Sequence, residues 1–395
     1  MTNSSGRLSL YFSVALALLA ASPGAKAERT TARGPSSMSN STVPAGPGLS
    51  RLPLLSTNIL PVGGRRSDAA PVGRKGSTSI STSKSYGSGT EKWPYSISRV
   101  ANSSSQQINN IAGSPVTAKP YRLTGKLWMR FGTDWYVCTA SLVKKAVLIT
   151  AAHCVHKFGT KADGWADEVL WYPANTSSKG GPWGYYAGTN WRVPTPYFDG
   201  TDTCENGAAG IACNNDIATV TLQKKSGEYP GTTLGGWYGY GWNGYSFAAS
   251  PVFGNSTVAD ITQLGYPVAF DSGYQMQMTD TFGKYITSSS TTNGNELRNT
   301  QIGSPQTGGS SGGPWLVNFG TRPSISTAAD LGSAAKSNYV VGVTSWGYST
   351  VGANVQGASW FGVNAEFPDA DYGGYGAGNI GNLMRDTCSA FPAAC

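Results

Sequence analysis

The sequence predicts an all-β fold built as barrels or sandwiches. Glycine supplies 52 of 395 residues, alongside 20 Tyr and 12 Trp, a mix that suits pleated strands joined by tight turns. Short segments rich in aromatic and β-branched side chains recur along the chain with glycines between them. Helical patterning is confined to a turn in the middle of the chain and a short stretch near its end. With 39% apolar and 13% charged residues, the chain is long enough to bury at least one large core.

In chain order, residues 1–27 read as a signal peptide. Arg7 precedes an apolar run over 8–21, and Ala25-Lys26-Ala27 suits a cut before Glu28. That run is 14 residues, whereas a spanning helix needs about 20, so export is expected and membrane anchorage is not. Residues 28–115 are rich in Ser, Gly, Pro and Thr, with basic pairs at Arg65-Arg66 and Arg74-Lys75. Such a composition is expected to stay largely disordered. Between a plain linker and a pro-segment removed at a basic site, its place after an export signal favours the pro-segment.

The character changes near Tyr121. Strands are expected at 125–131, 135–143 and 146–150, followed by a helical turn at 151–156. Further strands are expected at 168–172, 217–222, 275–279, 314–318, 339–346 and 359–363, and a short helix at 380–386. Strands with Gly-rich turns at this spacing suit barrels and sandwiches alike.

The formal charge is +8, but residues 1–27 contribute +2 and 28–120 contribute +8, while 121–395 carry −2. The basicity belongs to the leader, so no nucleic-acid partner is expected. Six cysteines fall into three close pairs, Cys138 with Cys154, Cys204 with Cys213 and Cys388 with Cys395. Export makes disulfides plausible, and nearest-neighbour pairing is one choice among 15 connectivities. A Cys138–Cys154 bridge would stabilise by roughly 3 kcal/mol in the chain-entropy model and would also steady the neighbouring His153.

Chemistry concentrates in two segments, Thr150-Ala151-Ala152-His153-Cys154 and Gly309-Ser310-Ser311-Gly312-Gly313-Pro314. A serine hydroxyl attacks a carbonyl only when a neighbouring imidazole takes its proton. Ser311 is the nucleophile candidate and His153 the base. Glycines beside the serine allow a tight turn that leaves the amides of Gly309 and Ser311 free to converge on one oxygen, as an oxyanion hole requires. The imidazole in turn needs a carboxylate to fix its tautomer. Asp216 opens the apolar stretch Ile217-Ala218-Thr219-Val220, where an acid has no packing reason to be, though an Asp at a strand start also serves as an ordinary turn former.

Together, Thr150 to Cys154, Asp216-Ile217-Ala218, Gly309 to Pro314 and Ser345-Trp346-Gly347 resemble the four signature segments of chymotrypsin-like (trypsin-fold) serine proteases, in that family's order. The resemblance implies two packed antiparallel six-stranded β-barrels over residues 116–395, the first about 116–230 and the second about 231–395. It implies serine endopeptidase activity through an acyl-enzyme, with His153, Asp216 and Ser311 as the triad. A protein or peptide substrate would pair with Ser345, Trp346 and Gly347 as an added strand. No cofactor or metal is implied, and a monomer is expected.

Departures from the pattern inform as well. Trypsins carry an aspartate before the nucleophile that pairs with the new N-terminal amine on activation, and here that residue is Ser310. With Gly265-Tyr266-Pro267 upstream, the chain is more similar to the secreted microbial branch that includes V8-like glutamyl endopeptidases. The pocket-floor position falls on Pro305, with no counter-charge for Arg or Lys. Gln306 and Thr344 stand where the V8-like pattern has Thr and His, so glutamate recognition loses its main cation. His156 is expected at the surface. A rival reading is a catalytically silent binding protein on the same fold, but no triad member is missing. A lipase or esterase would have the order Ser, acid, His.

Overall fold

A computed structural model describes residues 93–102, 115–206, 211–290, 293–321, 336–347 and 354–395, and the backbone of 31–33. The expected signal peptide and most of the expected pro-segment lie outside the described residues. Two short strands precede the main body, β1 (Thr31–Arg33) and β2 (Tyr95–Arg99).

The first barrel uses β3 (Thr124–Phe131), β4 (Asp134–Leu142), β5 (Val147–Thr150), β6 (Glu168–Pro173) and β7 (Tyr186–Pro194). A hairpin of β8 (Cys204–Asn206) and β9 (Ile211–Cys213) then leads to β10 (Ala218–Leu222), the sixth barrel strand. Neighbours run β7-β10-β5-β4-β3-β6, and pairing of β6 with β7 closes the ring. Leu127, Met129, Leu148, Trp171, Trp191 and Val220 fill its interior and are fully buried. Closure leaves no bare edge within the ring.

After β11 (Gly239–Tyr240) and β12 (Ala248–Ser250), the second barrel is formed by β13 (Ser256–Gly265), β14 (Gln277–Ser289), β15 (Glu296–Gly303), β16 (Pro314–Val317), β17 (Tyr339–Gly347) and β18 (Val355–Ser359). Its order is β13-β16-β17-β18-β15-β14, closed by β13 against β14. The chain thus forms two six-stranded antiparallel barrels, as the resemblance implies, with short helices α1 (Thr195–Asp199) and α2 (Pro230–Leu234) in loops. The expected C-terminal helix is α3 (Gly378–Ala390), which buries Ile380, Leu383 and Met384. Among the described residues no helix is long and apolar enough to cross a membrane.

All three nearest-neighbour cysteine pairs are disulfides. The structure differs from expectation at β2, which falls in the stretch read as disordered leader. It extends the second barrel by pairing antiparallel with β14 from Gln277↔Arg99 to Thr281↔Tyr95. His156 is likewise not at the surface. It is fully buried, with Nε2 2.7 Å from the Lys161 carbonyl and its ring 4.4 Å from Trp165 and 5.1 Å from Phe198.

Candidate active site

His153 sits in a single 3-10 turn, Ala152–Cys154, directly after β5. The turn is pinned because Cys154 is bridged to Cys138 on β4 and because Ala151 and Ala152 are fully buried. Asp216 lies two residues before β10, which pairs with β5 through Ala218↔Thr150. That register brings the two side chains together. His153 Nδ1 lies 2.8 Å from Asp216 Oδ2, and the His153 backbone N–H donates to Oδ1 at 2.9 Å. A carboxylate only accepts, so Nδ1 carries the hydrogen and Nε2 presents its lone pair. Nε2 is buried and makes no hydrogen bond among the described residues.

Ser345 adds a further contact that the sequence did not suggest for it, its Oγ donating to Asp216 Oδ2 at 2.6 Å. The Asp216 amide donates to Ser359 Oγ at 3.1 Å, and that hydroxyl donates to the Cys213 carbonyl at 2.7 Å. The acid is therefore gripped from both barrels.

Ser311 lies in the loop between β15 and β16 and is 4% exposed. Each carbonyl of that loop from Gly308 to Ser311 is tethered. Gly308 O accepts from Val268 N and Ser310 O from Gly313 N, both at 2.8 Å. Gly309 O accepts from Thr139 Oγ1 at 2.8 Å, and Ser311 O accepts from Thr139 N at 2.7 Å. A trans peptide points its N–H opposite its C=O. Anchoring the Gly308 and Ser310 carbonyls therefore turns the Gly309 and Ser311 N–H groups the other way, the arrangement expected of an oxyanion hole.

The glycines are required by shape. Gly309 and Gly312 have φ of +96° and +77°, where L side chains are strained. A Cβ on Gly309 would lie 2.5 Å from the Tyr266 carbonyl oxygen, and one on Gly312 would collide with Thr150 Oγ1 and Thr139 O. Gly312 thereby packs the serine loop onto the Thr150–Ala151 backbone that leads into His153. Ser311 and His153 make no hydrogen bond to each other, and such bonds in unliganded sites often close only when substrate binds.

The expected substrate contacts divide into two groups. Gln306 and Thr344 are bonded into a polar cluster with Gln263, Ser304, Ser310 and Gln356, and Pro305 lies between Ser304 and Gln306 in the chain. Thr344 Oγ1 accepts from Gln263 Nε2 at 2.8 Å and Trp315 Nε1 at 3.0 Å. Gln356 Nε2 donates to Gln306 O at 2.6 Å and to Ser310 Oγ at 3.2 Å. Every member of this cluster is uncharged. Trp346 instead packs with Ala212 and Leu297, gives its Nε1–H to Asn299 Oδ1 at 2.7 Å, and lies against Gly357. Its indole serves packing, while Gly347 continues β17 and pairs with Gln356.

Two more buried acids, Asp202 and Glu366, lie next to Asp216, and no sequence pattern signalled them. Asp202 accepts from Asn215 N at 3.0 Å and Asn215 Nδ2 at 2.7 Å. Glu366 accepts from Thr203 Oγ1 and from Asn214 Nδ2, the latter at 3.2 Å. Burial, with the Glu366 carboxylate close by, pushes the Asp202 carboxyl well above the ordinary carboxylate range. Neither Asp202 nor Glu366 has a sequence neighbour that marks it.

A family model described as Trypsin matches residues 111–360. The chain is 29% identical over 218 residues to the extracellular metalloprotease of Bacillus subtilis (strain 168), a match covering 53% of this chain and 62% of that protein. It therefore spans less than two thirds of that relative's length. Among solved structures, the protease Anisep from Arthrobacter nicotinovorans aligns with 22% identity and a TM-score of 0.45, over 61% of this chain and 91% of that one. A thermostable serine protease, AL20, from an extremophilic microorganism aligns with 21% identity and a TM-score of 0.44, over 61% of this chain and 92% of that one.

Proposed function

The chain belongs to the trypsin family, and from that premise we propose that it is a secreted serine endopeptidase acting through Ser311, His153 and Asp216. The observation that carries this reading is the double hold of Asp216 on His153, by ring and by backbone. In the proposed reaction His153 Nε2 takes the proton of Ser311 Oγ as that oxygen attacks the scissile carbonyl. Asp216 stabilises the imidazolium that forms. The carbonyl oxygen, now an anion, is received by the amides of Gly309 and Ser311. His153 then protonates the leaving amine, and water cleaves the acyl-enzyme by the reverse sequence.

Three disulfides support an oxidising compartment and so an extracellular site of action. The substrate is a protein or peptide. Since Gln263, Gln306, Thr344 and Gln356 are neutral, this reading assigns no counter-ion for a charged side chain of the substrate beneath the serine loop.

The Bacillus relative is named a metalloprotease, but the donors of this chain argue against a metal centre here. Among the described residues, the two groups whose ligand atoms gather closely are Cys138, His153 and Cys154, and Asp202, Cys204 and Cys213. In each, both cysteines are joined in a disulfide and offer no thiolate. The donors left, His153 in one group and Asp202 in the other, do not fit a metal centre.

An organophosphonate probe tests the proposal. Purified, processed protein is expected to be labelled at Ser311, with loss of peptide hydrolysis in step with labelling. Correctly folded protein that stays unlabelled and inactive on a peptide library would instead support a binding protein on the protease fold.

A further inference from the structure

Lys126 lies on β3 of the first barrel, yet its side chain is fully buried and reaches the second. Its Nζ donates to the Gly273 carbonyl at 2.6 Å and lies 4.3 Å from the Tyr274 ring centroid and 4.9 Å from that of Trp128. Among the described residues no carboxylate pairs with it, and loss of hydration lowers its pKa to about 7. Burying such a group is costly, and the hydrolytic steps above make no use of it.

What Lys126 holds is the back of the serine loop. A Cβ on Gly273 would lie 3.0 Å from the Tyr266 carbonyl oxygen, and one on Gly309 would lie 2.5 Å from the same oxygen. The Tyr266 carbonyl is thus wedged between Gly273 and Gly309. Two residues on, Val268 N donates to Gly308 O at 2.8 Å, the bond that turns the Gly309 amide outward. The same segment is tied to the first barrel by Asn175, whose Nδ2 donates to Tyr274 O at 2.8 Å and whose carbonyl accepts from Tyr266 Oη at 3.3 Å.

We propose that Lys126 is a positioning residue for hydrolysis: by holding Gly273 it sets segment 266–273, which fixes the Gly309 amide in the oxyanion hole. This rests on the serine endopeptidase reading. Lys126 touches neither substrate nor Ser311, and it acts through Tyr266 and Val268.

The test uses the full chain after its normal processing, with active sites counted by phosphonate titration. Lys126→Met keeps the length of the side chain and removes the donor. Its kcat per titrated site is expected to fall about 10- to 100-fold, the scale of a misplacement near 1 Å. KM should change less than about twofold, because an oxyanion contact strengthens in the transition state. The rate constant for phosphonate inactivation should fall in parallel. Gly273→Ala, which presses on the Tyr266 carbonyl with Lys126 intact, should lower kcat in the same way, and it decides the matter if Lys126→Met does not fold. Unchanged kcat per site in the folded variant, with only a lower melting temperature, overturns the proposal while leaving Ser311 chemistry standing. A wild-type protein that is never labelled overturns both.

Discussion

His153 and Asp216 are joined twice, through ring Nδ1 at 2.8 Å and through the His153 backbone amide at 2.9 Å. Asp216→Asn preserves shape but offers an amide where the ring N–H needs an acceptor, favouring the tautomer with its hydrogen on Nε2. A fall of about 10⁴ in kcat is expected, with little change in melting temperature. Ser345→Ala removes the third donor to the carboxylate and should lower kcat/KM roughly ten- to hundredfold, the worth of one hydrogen bond to a charged group. Steady-state hydrolysis of a peptide substrate, corrected for titrated sites, measures both.

Ser310 explains how the serine loop is braced without trypsin's ion pair. Its Oγ donates to Thr307 O at 2.6 Å and accepts from Gln356 Nε2 at 3.2 Å, and it is 1% exposed. Blocking the new N-terminal amine by acetylation should therefore leave kcat unchanged. Ser310→Asp would bury a carboxylate among neutral amides, a loss on the order of 3–5 kcal/mol. Denaturant unfolding in a Ser311→Ala background, which prevents self-digestion, reads that loss directly.

The triad could be read because nucleophile, base and acid each sit in a short motif whose residue types have no better explanation. Short strands rich in apolar and aromatic side chains could be read too, as at Thr124–Phe131 and Pro314–Val317. Ser256–Gly265 and Glu296–Gly303 could not, because polar Gln263 and Asn299 are buried against Thr344 and Trp346, where a strand pattern leads one to look for apolar side chains. The strand expected at 359–363 is Val355–Ser359 instead. Trp360 and Phe361 drew the expectation downstream, whereas both pack after the strand has ended. Lys126, Asp202 and Glu366 were illegible for another reason: their meaning depends on burial by residues far away in sequence.

The Asp202 carboxyl should make stability depend on pH in an unusual direction. Burial and the neighbouring Glu366 raise its pKa well above the ordinary 3.8, so the folded state keeps a proton that the unfolded state releases. Its contribution is fully present below the ordinary value and is lost as pH rises through the raised one. Asp202→Asn should flatten this decline. Melting temperature against pH, in the Ser311→Ala background, compares the two slopes, and an unchanged slope would place the dependence elsewhere.

If the leader is removed as proposed, strand β2 should bound the cut. Its removal would bare the edge of β14 and break several holds at once. Arg99 makes a two-pronged ion pair with Asp271 at 2.8 and 2.5 Å. Thr281 Oγ1 donates to Pro94 O, and Asn354 Nδ2 donates to Tyr95 Oη, each at 2.8 Å. Asn354 O in turn accepts from Ser304 N at 2.8 Å, and Trp93 packs on Gly303. Through these contacts β2 and its flanks support Gly303 and Ser304, at the start of the loop that carries Ser311. Trp93 and Val100 are buried as well, each contributing about 1.5–3 kcal/mol. Fully active enzyme recovered outside the cell should therefore begin at or before Trp93, as intact mass would establish. A product beginning beyond Arg99 with undiminished kcat per labelled site would mean that β2 is dispensable. The loop would then be held by its other bonds, those to Thr139, Val268, Thr344 and Gln356 among them.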